Sequence, residues 1–144
     1  MAKRRIDSRT LVGRIITAIF ILILAGGVYF IVDLFIPRDI CVENIAGQWK
    51  HNGKVTTYYT FNLDGTASSY EVGDGIETIN RKEYTYTLEE TNGGNGYYEL
   101  IMTRSERGNH DEPERYVVDQ VSRAQMSILM RGTSYESMTR VNIF

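Results

Sequence analysis

The chain begins with a long apolar segment and continues with a polar sequence in which apolar residues alternate. Residues 11–36 are almost entirely apolar, and no charge occurs between Arg14 and Asp33. That uncharged run spans about 27 Å as a helix, close to the ~30 Å hydrocarbon core of a bilayer. The pattern predicts a transmembrane helix over residues 11–36, preceded by a basic tail at residues 1–10. A cleaved signal peptide is the alternative, but its apolar region is typically only about 7–15 residues long.

Pro37 predicts the end of this helix, residues 37–44 a linker, and residues 45–144 a separate β domain. Alternation is clearest from Val55 to Leu63, where every second residue is apolar or bulky, as in a half-buried strand. Asp64-Gly65 and Asp74-Gly75 predict tight turns, and Asn92 to Gly96 an open turn. After a first strand near Ala46, the predicted strands are residues 55–63, 66–72, 76–90, 97–104, 115–121, 125–131 and 135–141.

About eight short strands joined by local hairpins favour an all-β, antiparallel up-and-down barrel over a Greek-key sandwich. The segment of residues 76–90 is long for one strand, so it is either two strands or one strand bent near Arg81-Lys82. The pattern predicts no helix beyond the apolar segment. The predicted architecture is therefore one transmembrane helix followed by one barrel.

Charge is distributed unevenly between the two parts of the chain. Residues 1–37 carry five basic and two acidic side chains, whereas residues 38–144 carry 11 basic and 16 acidic ones. The basic residues precede the apolar segment, and cytoplasmic flanks of such segments are enriched in Lys and Arg. This predicts a cytoplasmic N-terminus and an exported C-terminal domain. The acidic balance of that domain argues against nucleic-acid binding.

Residue types that perform catalysis are scarce. The chain has two histidines and one cysteine, and no Walker loop, zinc-binding His pair or Gly-x-Ser-x-Gly motif occurs. His110-Asp111-Glu112 contains metal-ligand residue types, but adjacent residues in a charged loop are usually solvated. Cys41 is interpreted as an inert thiol rather than as an intermolecular disulfide. The sequence predicts no enzymatic activity, metal or cofactor.

Aromatic residues are concentrated in the β domain, which holds nine of the ten tyrosines. A barrel of about eight strands either is filled by its side chains or encloses one small ligand. So many bulky residues favour a filled interior, and a pocket for an apolar or amphipathic small molecule is the alternative. The residues assigned to the interior are Tyr59, Phe61, Tyr70, Tyr84, Tyr86, Tyr98, Leu100, Met102, Tyr116, Met126, Ile128 and Met130.

Three fragments resemble small bacterial lipocalin-like domains over about residues 45–142. They are Gly47-x-Trp49, Phe61-x-x-Asp64-Gly65-Thr66, and Val121-Ser122 followed by Met126-x-Ile128. The resemblance implies a lipocalin-like barrel of bacterial origin whose tryptophan, Trp49, closes the base beneath a basic side chain from the last strand. Arg140 holds the corresponding position, where it is expected to stack on Trp49 as a cation–π pair.

The combined expectation is a non-enzymatic, single-pass protein of a bacterial inner membrane with a periplasmic barrel. Its expected role is protein interaction, as an accessory subunit or assembly factor of a membrane complex. Its expected partners are the lipid bilayer, through residues 11–36, and a membrane protein. A membrane-tethered binding module for a small apolar or lipid-like ligand is the alternative.

Overall fold

A computed structural model describes residues 8–53, 55–73, 78–91, 97–105, 112–130 and 135–142. The chain divides into two compact units, Met1–Leu34 and Phe35–Phe144. Some sequence predictions concern positions outside the described residues. These are most of the basic tail, the turns at Asp74-Gly75 and Asn92 to Gly96, His110-Asp111, and the side chain of Met130.

The first helix, α1, is Ser8–Phe35 and has 28 residues. Its segment Val12–Phe35 is long and apolar enough to cross a membrane. From Val12 to Val32 every large apolar side chain is exposed, with exposed fractions between 43% for Phe30 and 73% for Tyr29. A helix that is apolar on all sides is typical of one that is surrounded by lipid or by other membrane helices. The helix thus begins within the predicted tail and ends one residue before the predicted boundary.

The segment expected as a linker belongs to the folded barrel unit instead. The backbone N–H of Arg38 donates to the carbonyl of Val121 at 2.7 Å. A single helical turn, α2 (Val42–Ile45), follows, and its last residue, Ile45, is fully buried. One turn is too short to produce a periodic pattern, which is why the sequence predicted no helix here. Burial of Ile45 holds this turn against the barrel core.

Eight antiparallel strands form a closed barrel in sequential order, which confirms the predicted fold class. Each strand pairs with its neighbour in the chain, and the first strand pairs with the last, with Trp49 opposite Arg140. Closure leaves no strand edge unpaired along the sheet. The strands are β1 Gly47–Asn52, β2 Thr56–Phe61, β3 Thr66–Val72, β4 Thr78–Glu90, β5 Tyr98–Arg104, β6 Glu114–Val121, β7 Gln125–Met130 and β8 Tyr135–Arg140.

Residues 78–90 form one strand with an irregularity, so the sequence alternative of a single bent strand holds. The register between β3 and β4 shifts between Ser69 and Glu71. Asn80 lies opposite this shift with a φ of 56°, a left-handed conformation that asparagine tolerates better than most residues. Its side-chain amide donates to Glu71 Oε2 at 3.0 Å. The irregularity covers Asn80 and Arg81, because Lys82 pairs with Ser69 and Ile79 with Glu71, so it lies near the predicted bend at Arg81-Lys82.

Candidate functional site

One end of the barrel, where β1 begins and β8 ends, is closed by a clasp of Arg140 and Trp49. We call this end the base. The guanidinium carbon of Arg140 lies 4.3 Å from the centroid of the Trp49 ring, in the contact that the resemblance predicts. Its Nη1 donates to the carbonyl of Ala46 at 2.9 Å and its Nη2 to that of Asn44 at 2.6 Å. The Trp49 indole N–H donates to the carbonyl of Ile45 at 2.7 Å.

The clasp requires a glycine at position 47. Gly47 has a φ of +129°, a conformation that residues with a side chain rarely adopt. A Cβ atom at this position would lie 2.8 Å from Nη1 of Arg140. The Gly-x-Trp fragment therefore has a physical explanation, because the glycine gives Arg140 room to reach the carbonyls of the preceding turn.

Most of the residues assigned to the interior from sequence form one buried cluster. The partly buried residues packed against this cluster include Tyr59, Tyr98 and Tyr116. Phe61 meets Tyr86 edge-on, with ring centroids 5.2 Å apart, and the Tyr86 hydroxyl donates to the carbonyl of Asn62 at 2.7 Å. The predicted residues that are at most 5% exposed are Phe61, Tyr84, Tyr86, Leu100, Met102, Met126 and Ile128.

Tyr70 was assigned to the wrong face. In the register between β2 and β3 it lies opposite Tyr58, whereas Ser69 lies opposite the inward residue Tyr59. The rings of Tyr58 and Tyr70 stack on the outer wall with centroids 4.9 Å apart. The amide of Gln48 donates to the Tyr70 hydroxyl at 3.2 Å. The interior positions of β3 are the small residues Ala67 and Ser69, which leave room for the large rings of adjacent strands.

The half of the interior farther from the base contains ionisable side chains that the sequence analysis did not assign to a site. The Nε2 atom of His51, on β1, lies against a carboxylate oxygen of Glu136, on β8. The Tyr116 hydroxyl donates to Glu114 Oε2 at 2.6 Å. We call this region the polar half. The alternation of side chains along a strand could have identified these residues. Glu136 points to the same face of β8 as Met138 and Arg140, and His51 points to the same face of β1 as Trp49.

Tyrosine ionisation is suppressed in the polar half. Burial, with the negative charge of Glu114 next in size, raises the pKa of Tyr59 to about 12. Burial and the hydrogen bond to Glu114 also raise the pKa of Tyr116. Both hydroxyls therefore remain protonated near neutral pH and can donate hydrogen bonds. The polar half combines aromatic surface with fixed donors and acceptors, a combination that is common in small-molecule sites.

Below the base lies a second concave feature, which we call the arginine cleft. It encloses about 230 Å³ and is lined by Arg38, Glu43, Asn44, Ser122, Arg123, Arg140 and Asn142. Three of these side chains are cationic and one is anionic. Ser122 stabilises the turn between β6 and β7, because its Oγ accepts a hydrogen bond from the backbone N–H of Gln125 at 2.9 Å.

No protein-family model, curated protein or solved structure matches this chain. Within the described residues, no group of three or more His, Cys, Asp or Glu side chains is arranged to hold a metal ion. Functional inference therefore depends on the helix, the barrel interior and the arginine cleft.

Proposed function

We propose that this chain is a non-enzymatic, single-pass protein of a bacterial inner membrane that presents a lipocalin-like barrel in the periplasm. In this proposal the barrel binds another membrane protein, and the chain acts as an accessory subunit or assembly factor. The excess of basic over acidic side chains in residues 1–37, on the N-terminal side of the uncharged run, supports a cytoplasmic N-terminus.

The observation that carries the proposal is the very short connection between α1 and the barrel unit. Only Ile36 and Pro37 separate the end of α1 from Arg38, whose backbone is hydrogen-bonded to Val121. Three peptide units of extended chain reach at most about 11 Å. A barrel held by such a tether can bind only what is present at the membrane surface, which favours a membrane-protein partner.

Packing in the lower half of the barrel supports a rigid interaction module. Trp49, Val118 and Met126 are fully buried in this half, which is the one nearer the base. Ligand entry at this end would require displacement of the Arg140 clasp. A partner would therefore bind the outer surface of the barrel or the apolar faces of α1.

The test is gentle detergent extraction of the full-length chain, followed by mass spectrometry of the proteins that co-purify. A variant with a flexible Gly/Ser segment between Pro37 and Arg38 weakens the tether, and the matched control carries the same segment after Phe144. We expect discrete subunits at a fixed ratio with wild type and control, and a reduced yield with the lengthened tether. Absence of any stoichiometric protein would refute the proposal.

The polar half favours a second candidate function, a tethered binding module for a small amphipathic ligand. Tyr59 and Tyr116 supply aromatic surface, and Glu114, His51 and Glu136 supply polar anchors. Mass spectrometry of small molecules released from the same preparation tests this candidate. A stoichiometric small molecule without a protein partner would support it over the first proposal, and its loss in Tyr116→Phe would locate the site.

A further inference from the structure

The arginine cleft concentrates positive charge in a small volume. Its lining carries three guanidinium groups, from Arg38, Arg123 and Arg140, and a single carboxylate, from Glu43. This gives a net charge of +2 when all four groups are ionised. The volume of about 230 Å³ is smaller than the roughly 300–1,000 Å³ of drug-sized pockets. The cleft therefore suits a small anionic group rather than an extended ligand.

Arg140 connects the arginine cleft to the barrel interior. Its two terminal nitrogens donate to backbone carbonyls, and in the described part of the chain it forms no ion pair with a carboxylate. Partial burial and the charge of Arg38 both lower the pKa of Arg140, so the two guanidinium groups repel each other. An anion in the cleft would relieve this repulsion.

The chemistry of the lining suits a phosphate group. Guanidinium groups match phosphate oxygens through parallel N–H donors, and arginine is enriched where phosphate is recognised. Asn44 and Asn142 add side-chain amides, which also donate hydrogen bonds.

The position of Arg38 in the chain suggests where such a phosphate comes from. Arg38 is the third residue after the end of α1, so a membrane-embedded α1 would hold it within about 11 Å of the helix end. Phosphate groups of lipids are concentrated in this region of a bilayer. This source depends on the proposed membrane anchorage, whereas the charge and volume of the cleft do not.

We infer that the arginine cleft is a phosphate-binding site, and that an anionic lipid headgroup or a free phosphate occupies it. Bound phosphate lies between Arg38, Arg123 and Arg140 and strengthens the clasp at the base of the barrel. Because Arg140 also covers Trp49, binding changes the environment of the only tryptophan in the chain.

The experiment uses the full-length protein in non-ionic detergent micelles and follows the emission of Trp49. Sodium phosphate is titrated against sodium chloride at equal ionic strength. In parallel, short-chain phosphatidylglycerol is titrated against short-chain phosphatidylcholine. We expect a saturable change with at least one phosphate probe, and a higher unfolding temperature, because a ligand that binds only the folded state stabilises it.

Two arginine variants separate a specific site from general charge attraction. Arg123→Ala removes an exposed cation from the cleft, and Arg81→Ala removes one from β4, where the side chain is 71% exposed. We expect Arg123→Ala to bind the effective probe about tenfold more weakly, whereas Arg81→Ala binds as wild type does.

The two probe arms identify the source of the phosphate. A response to phosphatidylglycerol alone assigns the site to a lipid headgroup, and a response to sodium phosphate shows that a free anion is sufficient. The inference is overturned if neither probe exceeds its control, or if Arg123→Ala and Arg81→Ala weaken binding equally. Loss of all co-purifying proteins would refute the proposed partner and leave this result unaffected.

Discussion

The most direct test of the barrel closure is Arg140→Met. Methionine keeps an apolar chain over Trp49, but it removes the two hydrogen bonds to the carbonyls of Ala46 and Asn44. It also removes the charge that lies 4.3 Å from the centroid of the indole ring. The substitution therefore separates the polar contacts of the clasp from its packing.

The expected loss of stability follows from these contacts. Hydrogen bonds that involve a charged group contribute about 1.5–3 kcal/mol each, and these two are only partly buried, so the lower end applies. The cation–π contact adds about 0.5–1 kcal/mol. The sum is about 3.5–4 kcal/mol, which is a large fraction of the roughly 5–15 kcal/mol typical of a folded domain.

Denaturant unfolding of the full-length protein in micelles, followed by the emission of Trp49 and by circular dichroism, measures this loss. Arg140→Lys keeps the charge without the planar donors and should fall between wild type and Arg140→Met. The matched control is Arg81→Met. Nη2 of Arg81 lies 3.8 Å from Oε1 of Glu83 on an exposed surface, and such exposed ion pairs contribute about 0–1 kcal/mol to the free energy of unfolding. If Arg140→Met is no less stable than Arg81→Met, the clasp does not hold the base closed.

Three other substitutions test the turn, the core and the polar half. Gly47→Ala should cost at least about 1–3 kcal/mol in backbone strain alone and displace Arg140, which Trp49 emission reports. Phe61→Ala should cost about 3–5 kcal/mol in thermal unfolding, because it leaves a cavity in the core, whereas Leu63→Ala, at a 70% exposed position, should change stability by less than about 0.5 kcal/mol. Tyr59 ionises near pH 12 when folded but near its ordinary pKa of 10.0 when unfolded, so stability should fall from pH 10 to 12. Tyr59→Phe should reduce that slope in denaturation midpoints, and an unchanged slope would assign the effect to other groups.

The barrel was predictable from sequence because its signals are local. Alternation and tight turns lie next to each other in the chain, so β3 begins and ends at the predicted residues. Closure between β1 and β8 is not a local property, and the prediction reached it through the run of about eight local hairpin strands and the resemblance to lipocalin-like barrels. The turn α2 was missed because four residues carry no periodic signal.

The interior was predictable where the apolar residues of a strand are also the residues that its alternation directs inward. The two criteria disagree at Tyr70, where a bulky residue was placed inward although pairing with β2 directs it outward. Apolar character gave no signal at Glu114 and Glu136, so neither was assigned to the interior although strand alternation directs both inward. The arginine cleft was not predictable, because it joins residues far apart in the chain, such as Arg38 and Arg123.

The pairing of β1 with β8 has a consequence for biogenesis. Arg140 closes the base with a carbonyl that lies 94 positions earlier in the chain, so this contact is among the last that can form. A polypeptide that ends before β8 would expose the hydrogen-bonding edges of β1 and β7 and would lack the clasp. Such open edges can pair with strands of other chains, so only a chain that includes β8 forms a barrel that is protected against aggregation.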